Sequence, residues 1–146
     1  MSIPPFFYRP PDITILNDSQ FRLQQPLRYQ WTESSGTYLI TVPSWYVTDG
    51  ASVPRVCWTL TGLLPTGVHF GAAVVHDYLY QRRGLLTDYE LVMWNGDTWS
   101  QCYRHFSRDN CDNLFKRIMQ DAGETPWKAT AMFWAVRLFG GAAWAR

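Results

Sequence analysis

The periodicity of the sequence changes near residue 53, and this change constrains the fold more than any other feature. Up to that point the chain offers short runs rich in β-formers: Phe21-Arg22-Leu23, Leu27-Arg28-Tyr29-Gln30-Trp31, Tyr38-Leu39-Ile40-Thr41-Val42 and Trp45-Tyr46-Val47. Glu33-Ser34-Ser35-Gly36 lies between two of these runs and reads as a hairpin connection. From Pro54 onward the apolar spacing is helical. Val68, Ala72, Val75 and Leu79 predict a helix over 67–81. A second helix is expected after Ser107, with Phe115, Ile118 and Met119 on one face, ending near Gly123. Thr125-Pro126 starts a third that runs from Trp127 to Phe139. The stretch from Arg82 to Phe106, holding Gly84, Trp94, Gly96 and Trp99, separates the first two helices. The expected fold is therefore α+β: a small antiparallel sheet in the N-terminal third, then three or more helices, in a single domain over 13–146. Pro4, Pro5, Pro10 and Pro11 make residues 1–12 an extended arm.

Composition narrows the classes of function. A chain of 146 residues buries roughly two-thirds of its unfolded surface. With 17% charged residues and a formal charge of +1, it has no global field to draw in nucleic acid, and none is expected as a partner. Eleven of the thirteen basic residues are Arg, the cation suited to partly buried carboxylate pairs. The 16% aromatic content fits an aromatic-rich core, or a surface for sugars or partners. Three cysteines without C-x-x-C spacing argue against a disulfide framework and a thiolate zinc site, and fit a reducing compartment. The first residues show no signal-peptide pattern. The apolar stretch Ala129–Ala145 is 17 residues long, holds Arg137 near its centre and is broken by Gly140-Gly141. It reads as a buried helix ending near the glycines rather than a membrane span.

Three clusters carry the candidate chemistry. Thr48-Asp49-Gly50-Ala51-Ser52-Val53-Pro54-Arg55 sits where the strand pattern ends. It reads first as a tight strand-to-helix turn and second as one wall of a site formed by Asp49 and the Gly50 and Ala51 backbone. His76-Asp77-Tyr78-Leu79-Tyr80 lies inside the apolar helix, with His76, Asp77 and Tyr80 able to share one edge. A buried carboxylate beside an imidazole is costly unless both have partners. Arg108-Asp109-Asn110-Cys111-Asp112 opens the next helix. Asp112 shares a stripe with Phe115 and Met119 and should face inward, whereas a first-turn Asp is sufficiently explained by the helix dipole. Arg137, in an apolar helix, demands a carboxylate, with Asp49 or Asp112 as the candidates, and Arg55 is placed with it in a structural network.

Together with Ala135-Val136-Arg137-Leu138-Phe139-Gly140, these blocks resemble the phage and prophage family called domain of unknown function 1353. The resemblance implies a phage or prophage source and assigns no activity. It suits a virion, tail or assembly component, or an accessory protein. Such a protein would be made in the host cytoplasm, associate with particles, dock on other phage or host proteins and form homo-oligomers. A second similarity concerns mechanism. A helix with His-Asp-x-x-Tyr against a second helix with an inward Asp is similar to phospholipase A2. It implies His76 as the base that takes a proton from water, Asp112 and Tyr80 as its orienting groups, and Asp77 as a calcium ligand, with Asp49 alongside. An imidazole oriented by a carboxylate is a suitable means of activating water at neutral pH. Calcium wants six to eight oxygens, which Asp77 alone does not supply. The competing readings are an HD-type phosphohydrolase using His69, a purely structural His/Asp/Arg network, and a small effector that inhibits a host process.

Overall fold

The computed structural model describes residues 11–17, 20–48 and 70–145. The N-terminal arm, the turn holding Asp49 and Arg55, and His69 therefore lie outside the described residues. The fold is α+β in one compact domain, with two antiparallel sheets where the sequence pattern suggested one. The first sheet has the order β1-β2-β5, from β1 (Ile13–Asn17), β2 (Gln20–Leu23) and β5 (Val47–Thr48). The second has the order β3-β4-β6-β7, from β3 (Leu27–Glu33), β4 (Gly36–Val42), β6 (Leu91–Trp94) and β7 (Trp99–Gln101). Four helices follow among the described residues: α1 (Phe70–Gln81), α2 (Arg108–Asp121), α3 (Pro126–Phe139) and α4 (Gly141–Ala145).

The β3–β4 hairpin shows why its sequence folds as it does. Tyr29 pairs with Ile40 and Trp31 with Tyr38, and all four are buried, while Arg28, Thr32 and Thr41 alternate away from the core. Trp31 stacks on Tyr29 at 5.7 Å and on Tyr38 at 5.4 Å, and Phe106 closes the row at 6.3 Å from Trp31. The core takes up only part of the aromatic content: Trp31 is buried, whereas Trp45, Tyr89, Tyr103, Trp127, Trp134 and Phe139 are exposed. The expected strand at Trp45 is shorter than its composition suggests. Trp45 sits at φ 71, in a turn, and only Val47 and Thr48 pair with β2.

Sheet two is completed from a stretch that showed no strand pattern. Leu91 pairs with Ile40, and β6 turns back into β7 through Asn95, whose Oδ1 accepts from the backbone of Asp97 at 2.9 Å and Thr98 at 2.8 Å. The sheet therefore extends beyond the N-terminal third.

Helix α1 is buried from Phe70 through Tyr80, on every face, as expected of a helix at the centre of a domain. It packs against β5, α2 and α4. Gly84 ends it at φ +75, donating to the Leu79 carbonyl at 2.8 Å, and a Cβ there would meet the Phe106 carbonyl oxygen at 1.8 Å. Helix α2 starts at Ser107, whose side chain accepts from the Asn110 amide while the Asn110 side chain accepts from Ser107 N–H. Helix α3 begins with Pro126 at its first turn and ends at Gly140. The Ala129–Ala145 stretch is helical on both sides of Gly140, but it is not the buried helix expected: only Ala129, Met132 and Val136 of α3 are buried, while Trp134, Leu138 and Phe139 are exposed. Among the described residues no helix is long and apolar enough to cross a membrane.

Candidate functional site

Three helices converge on one carboxylate. Helix α1 presents His76 and Tyr80, α2 presents Asp112 and α3 presents Arg137. The Asp112 Oδ1 lies 2.7 Å from His76 Nε2 and accepts the Tyr80 hydroxyl at 2.5 Å. Its Oδ2 accepts from Arg137 Nη1 at 2.8 Å. The side chains of His76 and Asp112 are both 0% exposed, while that of Arg137 is 26% exposed, so the guanidinium forms the outer edge of the cluster. Its other nitrogen, Nη2, reaches Asp109 Oδ1 at 2.7 Å, on a side chain that is 71% exposed.

A second arginine braces the same group. Arg108 Nε donates to the Tyr80 hydroxyl at 3.1 Å, and its Nη2 donates to the carbonyls of Val136 and Arg137, each at 2.8 Å. Those carbonyls belong to the last turn of α3, where a cation is favoured by the dipole, and the Val136 oxygen accepts from Gly140 N–H as well. The His76 ring packs on Tyr80 at 4.1 Å and on Phe115 at 4.8 Å, and Trp144 stands edge-on to Tyr80 at 5.2 Å.

The electrostatics follow from these contacts. Burial pushes the Asp112 carboxyl up, but hydrogen bonds from His76, Tyr80 and Arg137 outweigh it and hold the group below its usual range. Burial, together with the bond to Asp112, raises Tyr80 so that it stays a neutral donor. The Arg137 guanidinium is held charged by its bond to Asp112.

Asp77 is not part of this group. It points from α1 toward β5, where its Oδ2 accepts the Tyr46 hydroxyl at 2.8 Å, the Thr48 hydroxyl at 2.6 Å and the Gln81 amide at 3.2 Å. One residue along a helix is a rotation of about 100°, which separates Asp77 from His76 although Tyr80, four residues on, stays beside His76. The shared edge expected for all three residues thus holds for His76 and Tyr80 only. No group of three His, Cys, Asp or Glu side chains that could hold a metal occurs among the described residues. Asp77, which accepts from the neutral donors Tyr46, Thr48 and Gln81, does not by itself compose a calcium site, and Asp49 lies outside the described residues.

Of the predicted residues, His76, Tyr80, Asp112 and Arg137 come together, with Asp112 as the carboxylate that Arg137 demands. Arg108 escaped the sequence reading. Its signal was available: a cation in the first turn opposes the helix dipole, so a partner elsewhere has to account for it. Asp109, explained by that dipole, also holds Arg137.

Comparison with known proteins places this geometry in a family. Residues 21–136 match the profile described as "Protein of unknown function (DUF1353)", which leaves out β1 and spans β2 from Phe21, β3 to β7, α1, α2 and most of α3. The chain belongs to this family. A curated relative, the "Uncharacterized protein y4jT" of Sinorhizobium fredii, is 27% identical over 122 residues, which is 84% of this chain and 27% of that protein. The chain therefore spans about a quarter of the length of the curated relative it matches. No solved structure matches. The DUF1353 profile contains every residue of the cluster except Arg137, which falls one position beyond it.

Proposed function

We propose that this DUF1353 protein is a phage or prophage product, a virion or accessory component, whose His76–Asp112 pair serves as a water-activating dyad of a hydrolase acting on an ester. The observation that carries this reading is the convergence on Asp112 Oδ1 of His76 Nε2 at 2.7 Å and the Tyr80 hydroxyl at 2.5 Å. A carboxylate at Nε2 orients the imidazole and favours a proton on that nitrogen, the arrangement in which a ring is held as a general base. Tyr80 and Arg137 hold the carboxylate charged and in place, which is how a supporting shell fixes a base.

The test compares wild type with His76→Gln and Asp112→Asn in ester and phospholipid hydrolysis, with and without calcium. The proposal expects losses of about 10²-fold or more in both variants, the scale of general-base catalysis. Equal rates in all three proteins would remove the dyad from any reaction. Mass spectrometry of purified particles tests the virion assignment, which expects the chain among their components.

One observation favours a second reading. His76 and Asp112 have side chains 0% exposed, so in this conformation water reaches neither from bulk solvent. On that reading the cluster is a structural pin that fixes three helices, and its variants lose stability without any accompanying loss of turnover.

A further inference from the structure

Helix α3 is apolar on two opposite sides, and only one of them is covered among the described residues. Ala129, Met132 and Val136 pack inward and are buried. On the opposite side Trp127, Ala131, Trp134 and Leu138 follow one another at spacings of four, three and four residues, which makes them a single straight stripe. All four are exposed: Trp127 is 65%, Trp134 56% and Leu138 69% open to solvent, and Phe139 beside them 67%. A helix that is hydrophobic all round belongs inside an assembly, and a stripe of this spacing is the seam by which one helix packs on another.

The charges of α3 stay off the stripe. Arg137 turns to α2, where it holds Asp109 and Asp112. Lys128 stands nine residues earlier in the sequence, which at about 100° per residue puts it on the opposite flank, and its Nζ lies 5.7 Å from the centre of the Trp127 ring. Phe139 shares the Lys128 flank by the same count. The stripe is also ordered by size, with the small Ala131 set between two indoles and Leu138 closing the far end.

We propose that α3 is the contact helix of a two-fold symmetric homodimer and packs antiparallel on α3 of a second copy. With the two stripes fully overlapped, the axis passes between positions 132 and 133. Trp134 of each copy then lies over Ala131 of the other, and Trp127 lies over Leu138. Each indole meets a smaller side chain, which is the self-complementarity that a two-fold interface requires. Ala131 lets the helix axes approach to the usual distance of about 8–10 Å. The same symmetry brings Lys128 beside Phe139 of the second copy, while the two Lys128 stand about 14 Å apart along the helices, beyond the screening length of about 8–10 Å in ordinary salt. A large aromatic side chain carries about 150–250 Å², so the four open side chains offer roughly 500 Å² per copy and about 1,000 Å² per pair, the size at which a specific interface begins.

The test is sedimentation equilibrium of the full chain across concentrations, with circular dichroism of each variant as the check on folding. Wild type should pass from one chain's mass to twice that mass as concentration rises. Ala131→Trp fills the gap that the indole of the second copy needs, and should weaken the dimer about tenfold or more. Adding Trp134→Ala exchanges the large and small positions, and should recover most of that loss. Ala131→Glu puts a charge on the stripe without touching a buried contact, and should leave a folded monomer. A dimer tightened by Ala131→Trp, an exchange that recovers nothing in a folded protein, or a dimer that survives Ala131→Glu would each overturn the proposal. So would a wild type that stays monomeric up to about 1 mM, including one that instead sediments with phosphatidylglycerol vesicles.

Discussion

Asp112 on α2 and Arg137 on α3 meet at 2.8 Å, joining a fully buried carboxylate to a guanidinium that still touches solvent. The pair ties the last turn of α3 to the N-terminal half of α2. Because the same carboxylate orients His76, the stability of the helix packing and the geometry of the imidazole depend on one group.

Removing the cation exposes this dependence. Arg137→Ala leaves Asp112 charged and buried with its neutral partners and His76, and should cost about 3 kcal/mol, the lower end of the scale for a broken buried pair because the guanidinium is partly exposed. Asp109→Asn, at the exposed end of the same arginine, should cost less than about 1 kcal/mol. Urea unfolding of both variants checks the contrast. Equal losses would mean that the buried contact is not the one that matters.

Acid should weaken the fold through Asp112. Its carboxyl is lower in the folded protein than in the unfolded chain, so its contribution is present above the ordinary carboxylate range, near pH 4, and is lost as pH falls through the depressed folded value. Asp112→Asn should therefore be less stable than wild type at pH 7 and closer to it at pH 3. Denaturant midpoints at the two pH values measure this. A constant difference would show that Asp112 titrates alike in the folded and unfolded states.

Two glycines at positive φ should respond very differently to alanine. At Gly84 the new methyl meets the Phe106 carbonyl oxygen at 1.8 Å, and backbone must move, so a loss above about 3 kcal/mol or failure to fold is expected. At Gly96 a Cβ meets nothing within 4 Å, and only the conformational cost of about 1 kcal/mol remains. Thermal melts of Gly84→Ala and Gly96→Ala decide it, and comparable losses would contradict the close approach.

Cys111 should be inert in the folded protein. It is 0% exposed, and burial, with the Asp112 charge adding to it, pushes its thiol up to about 12, so almost no thiolate exists at pH 8. Iodoacetamide labelling followed by peptide mass spectrometry should modify Cys111 only after denaturation. Rapid native labelling would show that the α2 face is open.

Much of this organisation is legible in residue spacing. The i,i+4 placement of His76 and Tyr80, the inward stripe of Asp112, Phe115 and Met119, and the demand of Arg137 for an acid follow from helical period and the cost of burying charge, and the coordinates bring these groups together. The hairpin at Glu33–Gly36 follows from turn chemistry. Other parts depend on tertiary pairing. Strand β6 is a short apolar run that takes its form from pairing with β4, and β7 in turn pairs with β6, so neither shows in a local pattern. The direction of Asp77 depended on which neighbour offered hydroxyls, and Tyr46 and Thr48 on the sheet side did so. The first-turn place of Arg108 signals a need for partners but not which ones, because Tyr80 and the two α3 carbonyls are 28 or more residues away.

The central claim is that Asp112 fixes which nitrogen of His76 carries the proton. Nitrogen-15 NMR of the imidazole at pH 8 tests it most directly. Any neutral imidazole in the wild type should carry its proton on Nε2, with the tautomer preference reduced or lost in Asp112→Asn. A neutral ring protonated at Nδ1 in the wild type, or a tautomer unchanged by the substitution, would contradict it.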